Sequence, residues 1–323
     1  GRDAGVSTMS NFNAESTTDD VIEGISLEGK LAVVTGASSG LGLETSRILA
    51  RQGATVMMVA RNAEKLEAAL GAIRKEIPAA RLETVLMDLS DLESVRSAAA
   101  TILQNHPAID LLVDNAGVMF CPLGRTAQGF EMQFGTNHMG HFLFSCLLVP
   151  ALLESAPGRI VVLSSGAHKM APLNLEDPNY NSREYNKWLA YGESKTANVL
   201  FAVALDARLK AHGVRTFAVH PGIIMTELGR HMSPEDMEQM MAMAPEGEEI
   251  KFKSIPQGAA TSVWAATSED LAGRGGIYLE NCQIADPAVA GGDGGVESYA
   301  LDADTAERLW ALSEELVGQS FSF

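Results

Sequence analysis

Short runs of aliphatic and β-branched residues recur from Lys30 onward, each followed by a longer stretch whose apolar positions repeat at helical spacing. This alternation is the mark of repeated β-α units on a parallel sheet whose strands are buried on both faces. It predicts strands at 31–35, 55–60, 82–87, 111–114, 160–164 and 215–220, with a further short strand near 277–279. Helices are expected at 63–77, 91–105, 191–212, 257–266 and 303–316, and Gly213 supplies a stop for the third of these. Segment 141–153 is almost wholly apolar but falls short of the ~18 residues of a membrane span, so it is expected to be a buried core helix. The sum is an α/β class chain with one doubly wound parallel sheet of about seven strands and helices on both faces.

Two segments depart from this rhythm. Residues 1–29 divide into a short piece before Met9, read as a tag remnant, and a polar, acidic arm; both are set outside the fold, which leaves 30–323 as one domain. Residues 225–254 hold Met225, Met232, Met237, Met240, Met241 and Met243 among many acids, and read as an insertion closing over an apolar substrate. The plainer alternative makes 234–244 an amphipathic helix whose methionines fill core.

Composition narrows the function. With 323 residues, 46% of them hydrophobic, the chain can bury a core without staples. Its 24 basic and 41 acidic side chains give a net charge of −17, and no basic block stands out, which disfavours nucleic acid and anionic membranes as partners. Cys121, Cys146 and Cys282 are far apart, so neither a zinc site nor a disulfide framework is expected, and no secretory signal is seen. A cytoplasmic location is the expectation. His138 and His141 make at most half a metal site, and no metal is expected.

The first strand runs straight into Gly36, Ala37, Ser38, Ser39, Gly40, Leu41 and Gly42, after which the pattern turns helical. Glycines there let the backbone turn tightly and approach a pyrophosphate, whose charge the helix N-terminus stabilises. The architecture is therefore expected to be Rossmann-type. The second strand ends in Ala60 and Arg61, where a carboxylate would hold the ribose 2′-hydroxyl of NAD; a guanidinium suits the 2′-phosphate of NADP(H) instead. A merely solvated arginine is the alternative. Asp88 and Leu89 follow the third strand, beside the expected adenine position, with a helix cap as the other role for Asp88.

Tyr191 and Lys195 are four apart in a helical pattern and so share one face. A free phenol with a pKa of ~10 is a poor base, but an adjacent ammonium, with a nicotinamide cation nearby, stabilises the phenolate and fits it for moving a hydroxyl proton. Strand ends at Asn115, Ala116 and Gly117, at Ser164 and Ser165, and at His220, Pro221 and Gly222 converge on the same crevice, where ligands of open α/β sheets gather.

In combination, TGASSGLG, DNAG, FGTNHMGHF, VVLSSGAH, YGESK and HPGIIMTEL, in this order, closely resemble the short-chain dehydrogenase/reductase family, and VARN and NHMGHF look most like its retinol-dehydrogenase-like branch. The resemblance implies Tyr191 as acid/base, Ser165 orienting the substrate oxygen, Lys195 also on the nicotinamide ribose, and Asn137 supporting a water relay to Lys195. It further implies cofactor contacts from Pro221, Gly222, Ile223 and Thr226, the last to the carboxamide. The expected activity is NADP(H)-dependent oxidoreduction of a lipophilic or bulky ketone, aldehyde or alcohol, by a homodimer or homotetramer. Asp114 departs from the commoner N-N-A-G, and the N-terminal membrane anchor of animal retinol dehydrogenases is not seen, so no membrane span is expected. The competing reading is a sensor or scaffold that binds NADPH without turnover.

Overall fold

The computed structural model describes residues 9–225, 232–244 and 249–323. Its strands are β1 (Leu31–Thr35), β2 (Thr55–Ala60), β3 (Arg81–Leu86), β4 (Leu111–Asp114), β5 (Arg159–Leu163), β6 (Arg215–His220), β7 (Ile277–Glu280) and β8 (Gln283–Ile284). They form one sheet in the order β3-β2-β1-β4-β5-β6-β7-β8, parallel from β3 to β7, with β8 antiparallel at the edge. The expected doubly wound topology is present, and the chain reverses its direction of winding between β1 and β4, which opens a crevice at their carboxyl ends.

The helices are α1 (Thr18–Ile22), α2 (Gly40–Arg51), α3 (Ala63–Glu76), α4 (Leu92–Asn105), α5 (Gly140–Glu154), α6 (Lys187–Leu209), α7 (Pro234–Ala242), α8 (Ile255–Thr267) and α9 (Ala303–Val317). Strand periodicity sorts them into two layers. In β1, Leu31 and Val33 join the core under α4, α5, α6 and α9, while Ala32 and Val34 join the core under α1, α2, α3 and α8. The apolar stretch Phe134–Glu154, long enough by composition to span a membrane, is buried between these elements. It opens with a π-helical turn, Phe134–Met139, before α5.

Three features differ from the sequence reading. The sheet has an eighth strand, because a two-residue turn at Asn281 and Cys282, both left-handed with φ of 52° and 56°, folds β8 back on β7. Asn-Cys takes the place of the Asn-Gly that normally signals such a turn. Helix α6 begins a turn before Tyr191, because the Asn186 side chain accepts from the Trp188 and Leu189 amides and caps it there.

The arm, set aside on composition, is part of the fold. Val21 and Ile22 are buried against the core, and Thr18 donates to Glu44 at 2.7 Å. The Gln283 amide accepts from Met9 N and donates to the Ser10 and Phe12 carbonyls, which fastens the arm to β8.

Asp114, the last residue of β4, is buried; one carboxylate oxygen accepts from Ser145 and the other has no partner among the described residues. Burial pushes this carboxyl up to about 8. The folded chain thus keeps a proton that the unfolded chain loses near pH ~4. Stability from this group is full below that pH and falls as pH rises toward 8, by up to ~1.4 kcal/mol per pH unit. An Asp114→Asn variant is expected to escape that loss. Thermal melts should show its advantage over wild type growing between pH 5 and 8 and levelling off above; an advantage independent of pH would contradict the assignment.

Candidate active site

The crevice at the carboxyl ends of the strands is continuous from the β1–α2 turn to α7. At one end, Gly36 takes φ +63° and Gly40 φ +54°. A Cβ on Gly36 would lie 2.9 Å from the Ala116 Cα, and one on Gly42 would lie 2.0 Å from the Gly36 carbonyl oxygen. Only glycine fits at these two places, so the turn packs tightly against the β4 loop. Ser39 precedes α2 in the capping position, yet its hydroxyl makes no capping bond; Ser39 is exposed on the crevice, which half-buried Ser38 and buried Leu41 also line. Free hydroxyls, a close glycine backbone and an α-helix N-terminus together make a cradle suited to a pyrophosphate.

Arg61 is exposed at the end of β2, with Asn62 and Lys65 beside it on the rim. Lys65, which the sequence reading passed over, lies there because Asn62 caps α3 through the Lys65 amide at 3.0 Å. Asp88 accepts from both the Ser90 amide and hydroxyl, at 2.9 and 2.6 Å, and lines the crevice with Leu89. It does not cap the next helix; Asp91 does, through the Glu93 amide.

Asn115, Ala116 and Gly117 are fixed from below. The buried Thr35 hydroxyl accepts from the Asn115 and Ala116 amides at 2.9 and 3.0 Å, and lies 2.8 Å from His141 Nε2. With both lone pairs used, the hydroxyl has only its proton left for that nitrogen. His141 therefore carries its ring proton on Nδ1, facing the Asn137 carbonyl at 3.2 Å; this tautomer is assigned from hydrogen-bond counting. Burial holds His141 neutral, its pKa down at about 3. His138 is tied to Ser313 at 2.9 Å, so the two histidines serve packing and polar satisfaction. Among the described residues no three His, Cys, Asp or Glu side chains gather as a metal site.

Asn137 sits in the π-helical turn, a local widening of the helix that often marks functional sites. Its Oδ1 accepts from the Val118 amide at 2.8 Å, and its Nδ2 lies 2.9 and 3.0 Å from the Val118 carbonyl and Ser194 hydroxyl oxygens. The side chain thus clamps the β4 loop to α6 and does not itself reach Lys195.

The two adjacent serines are told apart by their partners. Ser164 is buried and donates to the Lys195 carbonyl at 2.9 Å, a structural bond within the sheet-helix packing. Ser165 faces the crevice beside Tyr191 and accepts from the Ala167 amide. The Gly166 amide donates to His220 Nδ1 at 3.0 Å, which steadies the loop that presents Ser165.

Tyr191 and Lys195 lie one turn apart on α6, with the Lys195 ammonium 5.6 Å from the centre of the Tyr191 ring. Without a bound cofactor, burial pushes Tyr191 up to about 12, with the neighbouring Ser165 pulling down, while burial brings Lys195 down to about 8. At neutral pH the phenol keeps its proton and the lysine is mostly charged. This pair is therefore set to give a proton to an oxygen bound beside Ser165.

Pro221, Gly222 and Ile223 form the far lip of the crevice. Gly222 has φ +89°, and a Cβ there would meet the Lys253 side chain at 2.6 Å, so the 249–253 strand-like segment lies directly over the turn. Thr226 lies outside the described residues.

Beyond Tyr191 the crevice turns apolar. Phe120, Trp188 and Tyr191 pack together, joined by Met119, Ala167, Met170, Met232 and Met240. Of these only Tyr191 and the two α7-region methionines were singled out from sequence; the rest come from three separate loops and helices, with no common spacing to reveal them. No residue of α7 is buried, and Met241 and Met243 are exposed at 42% and 46%, so these methionines do not fill core. A 2.5 Å ion pair between Lys187 and Asp236 ties α7 to the start of α6.

The family model of short chain dehydrogenases matches residues 30–237. The chain is 40% identical to mouse retinol dehydrogenase 12 over 91% of this chain and 88% of that protein. A crystal structure of an uncharacterised protein from Mycobacterium paratuberculosis superposes with a TM-score of 0.73 and 35% identity, covering 97% of this chain and all of that one. The active-site complex of RhlG with NADP from Pseudomonas aeruginosa superposes with a TM-score of 0.62 and 25% identity, over 79% of this chain and 95% of that one. A Rossmann-type sheet, a glycine cradle at its switch point and a buried Tyr-Lys pair beside a crevice-facing serine thus agree with these likenesses, and the chain belongs to the short-chain dehydrogenase/reductase family, as an oxidoreductase acting between CH-OH and C=O.

Proposed function

We propose that this oxidoreductase uses NADP(H) and acts on a lipophilic or bulky ketone or aldehyde, or on the corresponding alcohol. The observation that carries the substrate class is the wall beyond Tyr191, built from Phe120, Trp188, Met170, Met232 and Met240. Aromatic and thioether surfaces accept large apolar bodies of varied shape, and thioethers adapt to them. The name of the mouse relative, a retinol dehydrogenase, is in keeping with an apolar substrate. The completeness of Asn137, Ser165, Tyr191 and Lys195 favours turnover over the sensor alternative.

The crevice fits the cofactor. Its glycine turn keeps the backbone bare at the start of α2, and its unbonded Ser39 hydroxyl and rim cations Arg61 and Lys65 match the groups of a phosphorylated dinucleotide. The RhlG complex with NADP is in keeping with this cofactor. Gly36, Ser38, Gly40 and the α2 N-terminus would hold the pyrophosphate, Asp88, Leu89 and Asn115 the adenosine side, and Ala116, Gly117, Pro221, Gly222 and Ile223 the nicotinamide side. Bound nicotinamide supplies or takes the hydride.

The protein supplies the proton. Ser165 orients the substrate oxygen, Tyr191 donates to it as negative charge builds, and Lys195 offsets the phenolate that remains. Reduction matches the protonated resting state of Tyr191; oxidation draws the proton back and gains from the positive charge of the oxidised nicotinamide. Met232, just before α7, and Met240 on it close the apolar side as a lid.

Three outcomes test this reading. Tyr191→Phe is expected to lower kcat by ~10²–10⁴-fold with NADPH affinity intact, whereas Lys195→Ala damages both; more than about a hundredth of wild-type turnover in the Phe variant contradicts the proton role. Arg61→Ala should erode preference for NADPH over NADH by roughly 10- to 100-fold in kcat/KM, the worth of one charge-assisted phosphate contact. Equal kcat/KM for the two cofactors in wild type would remove that assignment. Replacing Met232 and Met240 with serine should raise KM for bulky apolar carbonyls far more than for small ones at unchanged Tm, while a fall in Tm with unchanged selectivity would make them structural.

A further inference from the structure

Phe120 has a backbone conformation that aromatic residues rarely adopt. Its φ of 54° is left-handed, and its ring is buried. Non-glycine residues persist there only where surrounding structure over-determines them, and such places cluster at functional sites. Here the determinants are visible. Two residues earlier, Val118 is clamped on both its amide and carbonyl by Asn137. The Phe120 amide itself donates to Gln133 Oε1 at 2.9 Å, and Gln133 is fully buried.

The other end of the same Gln133 amide donates to the Lys187 carbonyl at 3.0 Å and lies 2.9 Å from the Tyr185 hydroxyl. Lys187 is the first residue of α6, the helix that carries Trp188 and Tyr191. One buried side chain therefore sets the distance between the loop presenting Phe120 and the helix presenting the phenol. Across that gap the Phe120 ring centre lies 4.7 Å from Tyr191 and 4.2 Å from Trp188, both rings tilted against it. Those spacings lie within or just short of the range of favourable aromatic pairs.

We propose that Phe120 is a positioning residue for Tyr191, and that Gln133 is the bracket that holds it in place. Ser165 lines the crevice beside the phenol, and Phe120 bears on the phenol ring and stops it swinging away from the bound oxygen. Trp188 backs Phe120 from the same face of α6, three residues before Tyr191. A ring rotated out of line would leave hydride transfer without its proton donor, although the cofactor cradle, which Phe120 does not touch, would be unchanged. The left-handed backbone is what lets a loop that has just followed the cradle turn its side chain back onto α6.

The inference rests on Tyr191 being the proton donor, and the experiment separates the two. Four variants of the full-length protein are compared: Phe120→Leu, Phe120→Tyr, Gln133→Met and Tyr191→Phe. Each is assayed for reduction of a bulky aldehyde with NADPH, with kcat expressed per NADPH-binding site titrated by fluorescence. Phe120→Leu keeps apolar volume but loses the flat ring and should lower kcat about 10-fold or more. NADPH Kd should stay within about twofold, as expected when an interaction made in the transition state is lost. Gln133→Met, which leaves the ring and removes the bracket, should reproduce that split; it also decides the matter if Phe120→Leu does not fold. Phe120→Tyr, which keeps the ring, should restore most of the rate. Wild-type kcat in both Phe120→Leu and Gln133→Met, with Tyr191→Phe inactive, overturns the positioning role alone. Parallel loss of kcat and NADPH affinity also overturns it, since that marks general damage. Wild-type turnover in Tyr191→Phe overturns the proton-donor reading beneath it.

Discussion

The Thr35 hydroxyl is the joint on which the site depends. It lies at the carboxyl end of β1, where the glycine cradle begins, and it holds the Asn115 and Ala116 amides of the neighbouring strand end. Its remaining bond reaches His141, whose other nitrogen reaches the Asn137 carbonyl in the π-helical turn. Asn137 in turn clamps Val118 and contacts Ser194, the neighbour of Lys195. A single buried chain of hydrogen bonds thus links the dinucleotide end of the crevice to the proton-transfer end. Every member is satisfied, which is the condition under which buried polar networks add rigidity.

Burial does further work at the far end of that chain. Tyr191 and Lys195 are both buried, and the loss of solvent moves them in opposite directions, the phenol up and the ammonium down. Free tyrosine and lysine ionise in nearly the same range, and burial separates them; once the phenol begins to lose its proton to substrate, each charge has the other as its nearest compensation. Phe120 packs on both Trp188 and Tyr191, so the aromatic wall at this end of the crevice also bears on the phenol ring.

The parts of this design that were legible in the sequence are those with a local rule. Strands buried on both faces, such as β1, announce themselves as apolar runs, and the Gly36 to Gly42 turn needs residues without a Cβ at fixed steps. Tyr191 and Lys195 are readable because a helix fixes their spacing. What was missed depends on long-range partners. The acidic arm became part of the fold through Gln283, more than two hundred residues away, and through Glu44. The Phe120–Trp188 contact and the Gln133 bracket join loops that no periodicity connects. Charge proximity, likewise, can be read from spacing, but depth of burial cannot.

The central claim is that this crevice carries a hydride and a proton to one carbonyl, and does not merely hold a nucleotide. Incubating the protein with NADPH deuterated at C4 on the transferred face and a bulky aromatic aldehyde, followed by mass spectrometry of the recovered alcohol, tests it most directly. The account predicts one deuterium on the carbinol carbon of the alcohol, with stoichiometric formation of NADP. NADPH bound at the crevice with no labelled alcohol formed from any bulky carbonyl tried, on either labelled face, would contradict it.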